Sequence, residues 1–196
     1  ELPALGLHDN ALVPLEGGGA LVVGASPVGI DGVDVVLDPS SGPSFFAALV
    51  DAARDVGGLP VGEDALDAAR IHRVVPRYGA EMDESTIPLE ANLDAAISYT
   101  KGCYVGQEVI AKATYRGHVR RKLGQLRTSP GVVPGAELLE GERVVGAVAS
   151  VLDPDPAGGP PLALAYVRQD RLVEGAQLEL AAGGEAVVSW APPRKE

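Results

Sequence analysis

Cysteine is almost missing from this chain: Cys103 is the only one in 196 residues. A lone thiol cannot close an internal disulfide. It also cannot by itself hold a cysteine-ligated zinc or iron–sulfur centre, which needs several ligands. A reducing cytoplasm is the compartment this usage implies. Large aromatic residues are scarce too, with two Phe and one Trp. Met82 is the only methionine, and the chain opens Glu1-Leu2-Pro3, which reads as a fragment or a processed product. No apolar run approaches the roughly 20 residues of a membrane span, and no secretory apolar segment is visible. The three histidines, His8, His72 and His118, form no metal-ligand spacing with each other or with Cys103, so no metal site is expected.

Glycine (25) and proline (16) are abundant, and 46% of residues are apolar. That is the composition of a turn-rich globular fold, β-rich or α+β. The length suits one large domain or two small ones. The formal charge is −11, but residues 101–127 hold seven Lys/Arg (Lys101, Lys112, Arg116, Arg120, Arg121, Lys122 and Arg127) and one acid, Glu108. This segment is therefore +6 and the remainder −17. A basic island in an acidic chain points to an anionic ligand or to a solvated strand and helix end. The overall negative charge argues against stable nucleic-acid binding.

Short strands are expected at 11–15 and 20–23, flanking a hairpin turn at 16–19, and 33–37 is a further strand. Gly17–Gly19 is no phosphate loop, since it lacks the Lys-Ser/Thr pair and a following helix. Phe45, Leu49, Ala52, Ala53 and Val56 fall at helical spacing, and Gly57-Gly58 should stop that helix. A second helix is expected over 63–74, closed by Pro76. Residues 77–104 read as irregular, with a short turn near 89–93. A third helix should cover 106–116. Beyond it, strand-like runs at 122–127, 144–151, 162–167, 178–180 and 186–190 alternate with turn residues and predict a small all-β barrel. The chain thus reads as α+β, with one domain over 1–118 and a barrel over 119–196.

The stretch Lys101-Gly102-Cys103-Tyr104-Val105-Gly106-Gln107-Glu108 carries the most chemistry. Its two glycines permit a tight backbone, and a helix begins just after it. A cysteine beside a lysine and a helix amino terminus is a candidate reactive thiol. A lone cysteine also commonly serves as a small buried hydrophobe. Gln107 and Glu108 open the helix, where Glu108 complements the helix dipole. Tyr99, Tyr104 and Tyr115 can stack on a ring or edge the core.

This eight-residue stretch resembles the signature of the YgfZ family, which includes the mitochondrial iron–sulfur assembly homologues. Ala113-Thr114-Tyr115-Arg116-Gly117 is similar to the family's aromatic-Arg-Gly continuation. Tyr78-Gly79-Ala80-Glu81-Met82-Asp83 and Ile87-Pro88-Leu89-Glu90-Ala91-Asn92-Leu93 resemble stretches shared with the glycine-cleavage T proteins. Gly29-Ile30-Asp31-Gly32-Val33-Asp34 resembles a T-protein turn. The motifs run from about residue 29 to 120, and the β-rich tail fits by pattern only.

The resemblance implies a ring of subdomains around a hole that holds tetrahydrofolate, with a ferredoxin-like middle domain. It also implies a further amino-terminal portion that supplies part of the folate cradle and the Asp that T proteins use in aminomethyl transfer. Asp34 stands where T proteins place a pterin-binding Glu, and a carboxylate there can still accept from an N–H-rich ring edge. Leu66 stands where they place a pterin-binding Arg; it offers an apolar wall and no charged hydrogen bond, which counts against aminomethyl transfer. Arg70 reads as a salt-bridge partner. The site implied is Cys103 with Lys101 as reactive groups, and Asp34, Leu66, Tyr104, Gln107 and Arg116 as folate contacts. The function implied is a tetrahydrofolate-binding accessory protein supporting iron–sulfur cluster assembly or repair and tRNA-modifying iron–sulfur enzymes. The alternative is a folate-dependent aminomethyltransferase, and a weaker one is an RNA-docking module built on residues 101–127.

Overall fold

The computed structural model describes residues 5–15, 18–25, 28–115 and 119–193. The chain divides into two compact units, Glu1–Arg70 and Ile71–Glu196.

In the first unit, β1 (Asn10–Leu15), β2 (Gly18–Ala25) and β3 (Gly32–Leu37) form an antiparallel sheet in that order. These strands contain the three expected runs. Of the expected turn at 16–19, Glu16 and Gly17 lie outside the described residues. Alternation gives the sheet two unlike faces. Ala20 and Val22 are buried on one. On the other, Leu12, Leu21 and Val36 stand in one cross-strand row, with Leu12 and Val36 exposed. Asp34 pairs with Val23 in the adjacent row of that same face.

Helix α1 (Gly42–Asp55) follows a 3₁₀ turn at Pro39–Ser41. It ends as the sequence predicts: Gly57 N donates to Arg54 O at 3.0 Å and Gly58 N to Ala53 O at 2.7 Å, closing the last turn. The apolar positions at helical spacing are not buried. No residue of α1 is buried, and Leu49 and Val56 are exposed. Helix α2 (Glu63–His72) opens on Glu63 and Asp64, whose charges suit the helix amino terminus. It stops two residues before the expected end because Val74 takes φ +57°, a left-handed geometry no helix continues through. Arg70 Nε donates to Asp67 Oδ1 at 2.6 Å, one turn back.

The second unit begins with the last two residues of α2, Ile71 and His72. Residues 77–104 are irregular, as expected, apart from a 3₁₀ turn at Asp94–Ala96. Helix α3 covers Gln107–Tyr115. Six strands then follow: β4 (Arg121–Thr128), β5 (Glu137–Glu140), β6 (Arg143–Leu152), β7 (Leu162–Arg168), β8 (Gln177–Leu180) and β9 (Glu185–Trp190). They close an antiparallel barrel in the order β4-β7-β6-β5-β8-β9. The expected domain limit at 118 lies outside the described residues.

Strand β7 is buried on both faces. Ala163, Ala165 and Val167 point into the barrel core with Leu126, Val148 and Val188. Leu162, Leu164 and Tyr166 point out and pack with Leu123, Ile71 and Val74. The end of α2 and the turn after it thus cover the outer wall of β4 and β7. Burying a side chain such as Ile71 contributes about 1.5–3 kcal/mol.

Candidate functional site

The signature segment forms one wall of a cavity of about 510 Å³ in the second unit. Ser85, Thr86 and Pro88, in the turn after Asp83, also line it. Asp83 builds that turn: its Oδ1 accepts from Ser85 N at 2.8 Å and from Ser85 Oγ at 2.7 Å. These bonds hold the Asp83 carboxyl below the ordinary carboxylate range. Ser98, also in the lining, accepts through Oγ from Lys101 N at 3.1 Å and ties down the start of the signature.

Gly106 turns the chain into α3. Its φ is +88°, a conformation that costs glycine little and other residues more. Gln107 N donates to Tyr104 O at 3.2 Å, and Gly106 O accepts from Val109 N and Ile110 N, opening the helix. The Lys101 ammonium lies 4.6 Å from the centroid of the Tyr104 ring, within cation–π reach. Both residues line the cavity, as does Glu84. The Tyr78 hydroxyl donates to Glu84 and holds its carboxyl below the usual value. The cavity lining therefore includes a cation on an aromatic face and a carboxylate, Glu84.

Each predicted site residue can now be placed. Lys101 and Tyr104 share the cavity wall. Cys103 lies between them and is exposed. Gln107 is the first residue of α3 and is half-buried. Glu108 sits in the first helical turn and pairs with Lys112 at 2.5 Å, the next turn along. Arg116 lies outside the described residues. Asp34 and Leu66 belong to the first unit. Asp34 is exposed on the open sheet face, and Leu66 is partly exposed on α2. Among the described residues, no three His, Cys, Asp or Glu side chains gather to hold a metal ion. No described helix is long and apolar enough to cross a membrane.

The sequence did not disclose a second cavity, of about 380 Å³, lined by Glu81, Asp83, Thr86, Arg121, Ala147 and Tyr166 among others. Arg121 and Tyr166 are 45 positions apart and meet only through the β4–β7 register, in which Leu123 faces Tyr166. No local sequence signal marks such a pairing.

Residues 9–101 match the GCVT N-terminal domain family. The chain is 33% identical over 160 residues to an aminomethyltransferase of Nostoc sp., covering 81% of this chain and 41% of that protein. It is 35% identical over 171 residues to an aminomethyltransferase of Thermotoga petrophila, covering 86% and 46%. The chain is similar to the T proteins over most of its length. The crystal structure of glycine cleavage system aminomethyltransferase T from Bartonella henselae superimposes with a TM-score of 0.73 at 22% identity, over 90% of this chain and 50% of that one. The barrel and the scarcity of helices fit that T-protein fold. The chain spans about half the length of the T proteins it matches. The family match stops at Lys101, so Cys103, Tyr104 and Gln107 lie just beyond the part this chain shares with the GCVT N-terminal domain.

Proposed function

We propose that this chain is the folate-binding part of an accessory protein of the YgfZ type, which supports iron–sulfur cluster assembly or repair and tRNA-modifying iron–sulfur enzymes. The observation that carries the reading is Cys103. An exposed thiol sits in a loop whose neighbours, Lys101 and Tyr104, line a cavity of ligand size. An exposed thiol beside a binding cavity suits transient covalent or redox contact with a partner.

Tetrahydrofolate is the proposed ligand, and the residues present fit it. The open face of the first sheet puts the exposed Asp34 carboxylate one row from the apolar row Leu12, Leu21 and Val36. A flat heteroaromatic ring can lie on such a row with its N–H edge at the carboxylate. Leu66 adds apolar surface. Tyr104, Gln107 and Arg116 are the remaining proposed contacts, with a ferredoxin-like arrangement of the middle domain as the proposed scaffold. Bound tetrahydrofolate would supply one-carbon carrying capacity. The chain's own residues would bind it and orient its ring edge.

The test is complementation of a deletion strain by Cys103→Ala, with tetrahydrofolate affinity measured by calorimetry on the purified variant. Retained affinity with lost complementation is expected. Full complementation would remove the thiol from the function.

The names of the relatives favour a second reading, a folate-dependent aminomethyltransferase. Leu66 argues against it, since a leucine supplies no charged hydrogen bond to a pterin. A glycine-cleavage assay with the other components present separates the two. Turnover by the unaltered protein would establish the second.

A further inference from the structure

The barrel repeats itself. Strands β4, β5 and β6 can be laid in order on β7, β8 and β9, and the pairing is unchanged. Gln125, Leu126, Arg127 and Thr128 of β4 pair with Trp190, Val188, Val187 and Ala186 of β9. Leu164, Ala165, Tyr166 and Val167 of β7 pair with Ser150, Val148, Ala147 and Gly146 of β6. Both seams skip one residue at the same step, Ser189 in one and Ala149 in the other. The hairpins agree as well: Leu138 faces Gly146, and Leu178 faces Ala186. Each of β4 and β5 lies beside its own counterpart, β7 and β8. Within the β4–β7 seam Leu123 faces Tyr166 and Arg127 faces Leu162. These are a pair and its exchanged image, as a two-fold axis between the halves requires.

The turns before β5 and β8 carry the repeat in sequence. Val133-Pro134-Gly135-Ala136-Glu137-Leu138 answers Val173-Glu174-Gly175-Ala176-Gln177-Leu178, identical at Val, Gly, Ala and Leu. Both have the hydrogen bond and the positive φ of a type II turn. Ala136 N donates to Val133 O at 3.2 Å and Ala176 N to Val173 O at 3.0 Å; Gly135 takes φ +88° and Gly175 +81°. Each turn glycine then donates across to the equivalent strand, Gly135 N to Val148 O at 2.8 Å and Gly175 N to Val188 O at 2.9 Å. Unrelated turns have no reason to agree in residue, conformation and acceptor together.

The halves part where α2 is seated. Leu123 and its counterpart Leu162 belong to one cluster with Ile71 and Val74, so the apolar seat straddles the axis. Gln125, whose amide holds Ile71 O and His72 O, has the apolar Leu164 as its counterpart. We propose that the barrel is two copies of one three-stranded unit, 121–152 and 162–190, closed on each other as a dimer closes, with the docking surface for α2 on the axis between them and made one-sided by Gln125. This is independent of the folate reading.

Equivalent positions should then accept each other's residues. Glu174 N makes no backbone hydrogen bond among the described residues, so a proline fits there as it does at position 134; the loss is a 3.5 Å contact from Ala191 N to Glu174 Oε1. One residue earlier, Val173 N donates to Arg171 O at 3.0 Å, and a proline breaks that bond. The test is thermal unfolding of the full chain carrying Glu174→Pro with Gln177→Glu, or Pro134→Glu with Glu137→Gln, beside Val173→Pro as the variant one residue out of register. Val173→Pro should lower the midpoint by at least about 6 °C, and each exchanged pair by less than half as much. An exchanged pair that loses half as much or more would overturn the equivalence of the two units.

Discussion

His72 Nε2 lies 2.9 Å from Asp155 Oδ1, which ties the end of α2 to the loop after β6 across 83 positions of sequence. The same oxygen accepts from Ala157 N at 2.9 Å. The Ala157 amide holds the Asp155 carboxyl below its ordinary value, burial opposes that effect, and His72 adds to it. A carboxyl whose folded value lies below its unfolded one stabilises the fold above the unfolded value. That contribution disappears as pH falls through the folded value. Urea stability should therefore drop below about pH 4. Asp155→Asn should show a shallower drop over the same range, and Asp155→Ala should lose roughly 1–3 kcal/mol at neutral pH. Denaturation curves for the three proteins at neutral and acid pH check this. An unchanged acid limb in Asp155→Asn would assign the acid sensitivity to other carboxylates.

Gln125 performs a related task from inside the barrel wall. Its Nε2 donates to Ile71 O at 2.8 Å and to His72 O at 3.1 Å, and its Oε1 accepts from Ser189 Oγ at 2.9 Å. The last carbonyls of a helix have no partners of their own. Here a buried amide on β4 supplies them. Gln125→Leu keeps the bulk, strands the His72 carbonyl and the serine, and leaves Ile71 O only its 3.3 Å bond from Val74 N, so it should cost about 2–4 kcal/mol in urea denaturation. Gln125→Glu retains the acceptor for Ser189 but places a carboxylate against two carbonyls, and should fare no better.

The sequence disclosed elements more readily than their partners. All five strand-like runs expected in the barrel are present, each within two residues of its expected ends. β5 is not legible because Glu137-Leu138-Leu139-Glu140 does not alternate, whereas Leu178-Glu179-Leu180 does, so its strand character comes from pairing with β6 and β8. The end of α2 was overrun because nothing local announces that Val74 adopts a positive φ. Its side chain is drawn into the cluster under β7, and tertiary packing overrides local preference there. In the site, Lys101 and Tyr104 were legible since they are three apart in one loop. The Arg121–Tyr166 pair was not, because only strand register brings it together.

Gly146 shows how closely that register is packed. A Cβ built there would stand 2.5 Å from Tyr166 O and 3.1 Å from Val167 Cα. Both are backbone atoms of β7, so no rotamer change relieves the clash. Gly146→Ala should push β6 away from β7, with a loss of about 3 kcal/mol or more. A stability change under about 1 kcal/mol would show that the β6–β7 spacing gives way cheaply.

Cys103 separates a structural role from a chemical one. A cysteine kept for packing is buried, and its removal opens a cavity. Cys103 is exposed, so Cys103→Ala should shift stability by less than about 0.5 kcal/mol. The thiol should also react with an aromatic disulfide reagent in the native chain within about tenfold of its rate in denaturant. Val105, two residues on, is fully exposed as well, so the loop presents thiol and apolar side chain together to any partner that docks there. A much slower native reaction would mean that the loop shields the sulfur in solution, and the packing explanation of the cysteine would return. A fast reaction with unchanged stability leaves the fold no use for the thiol, so its use must lie in what it contacts.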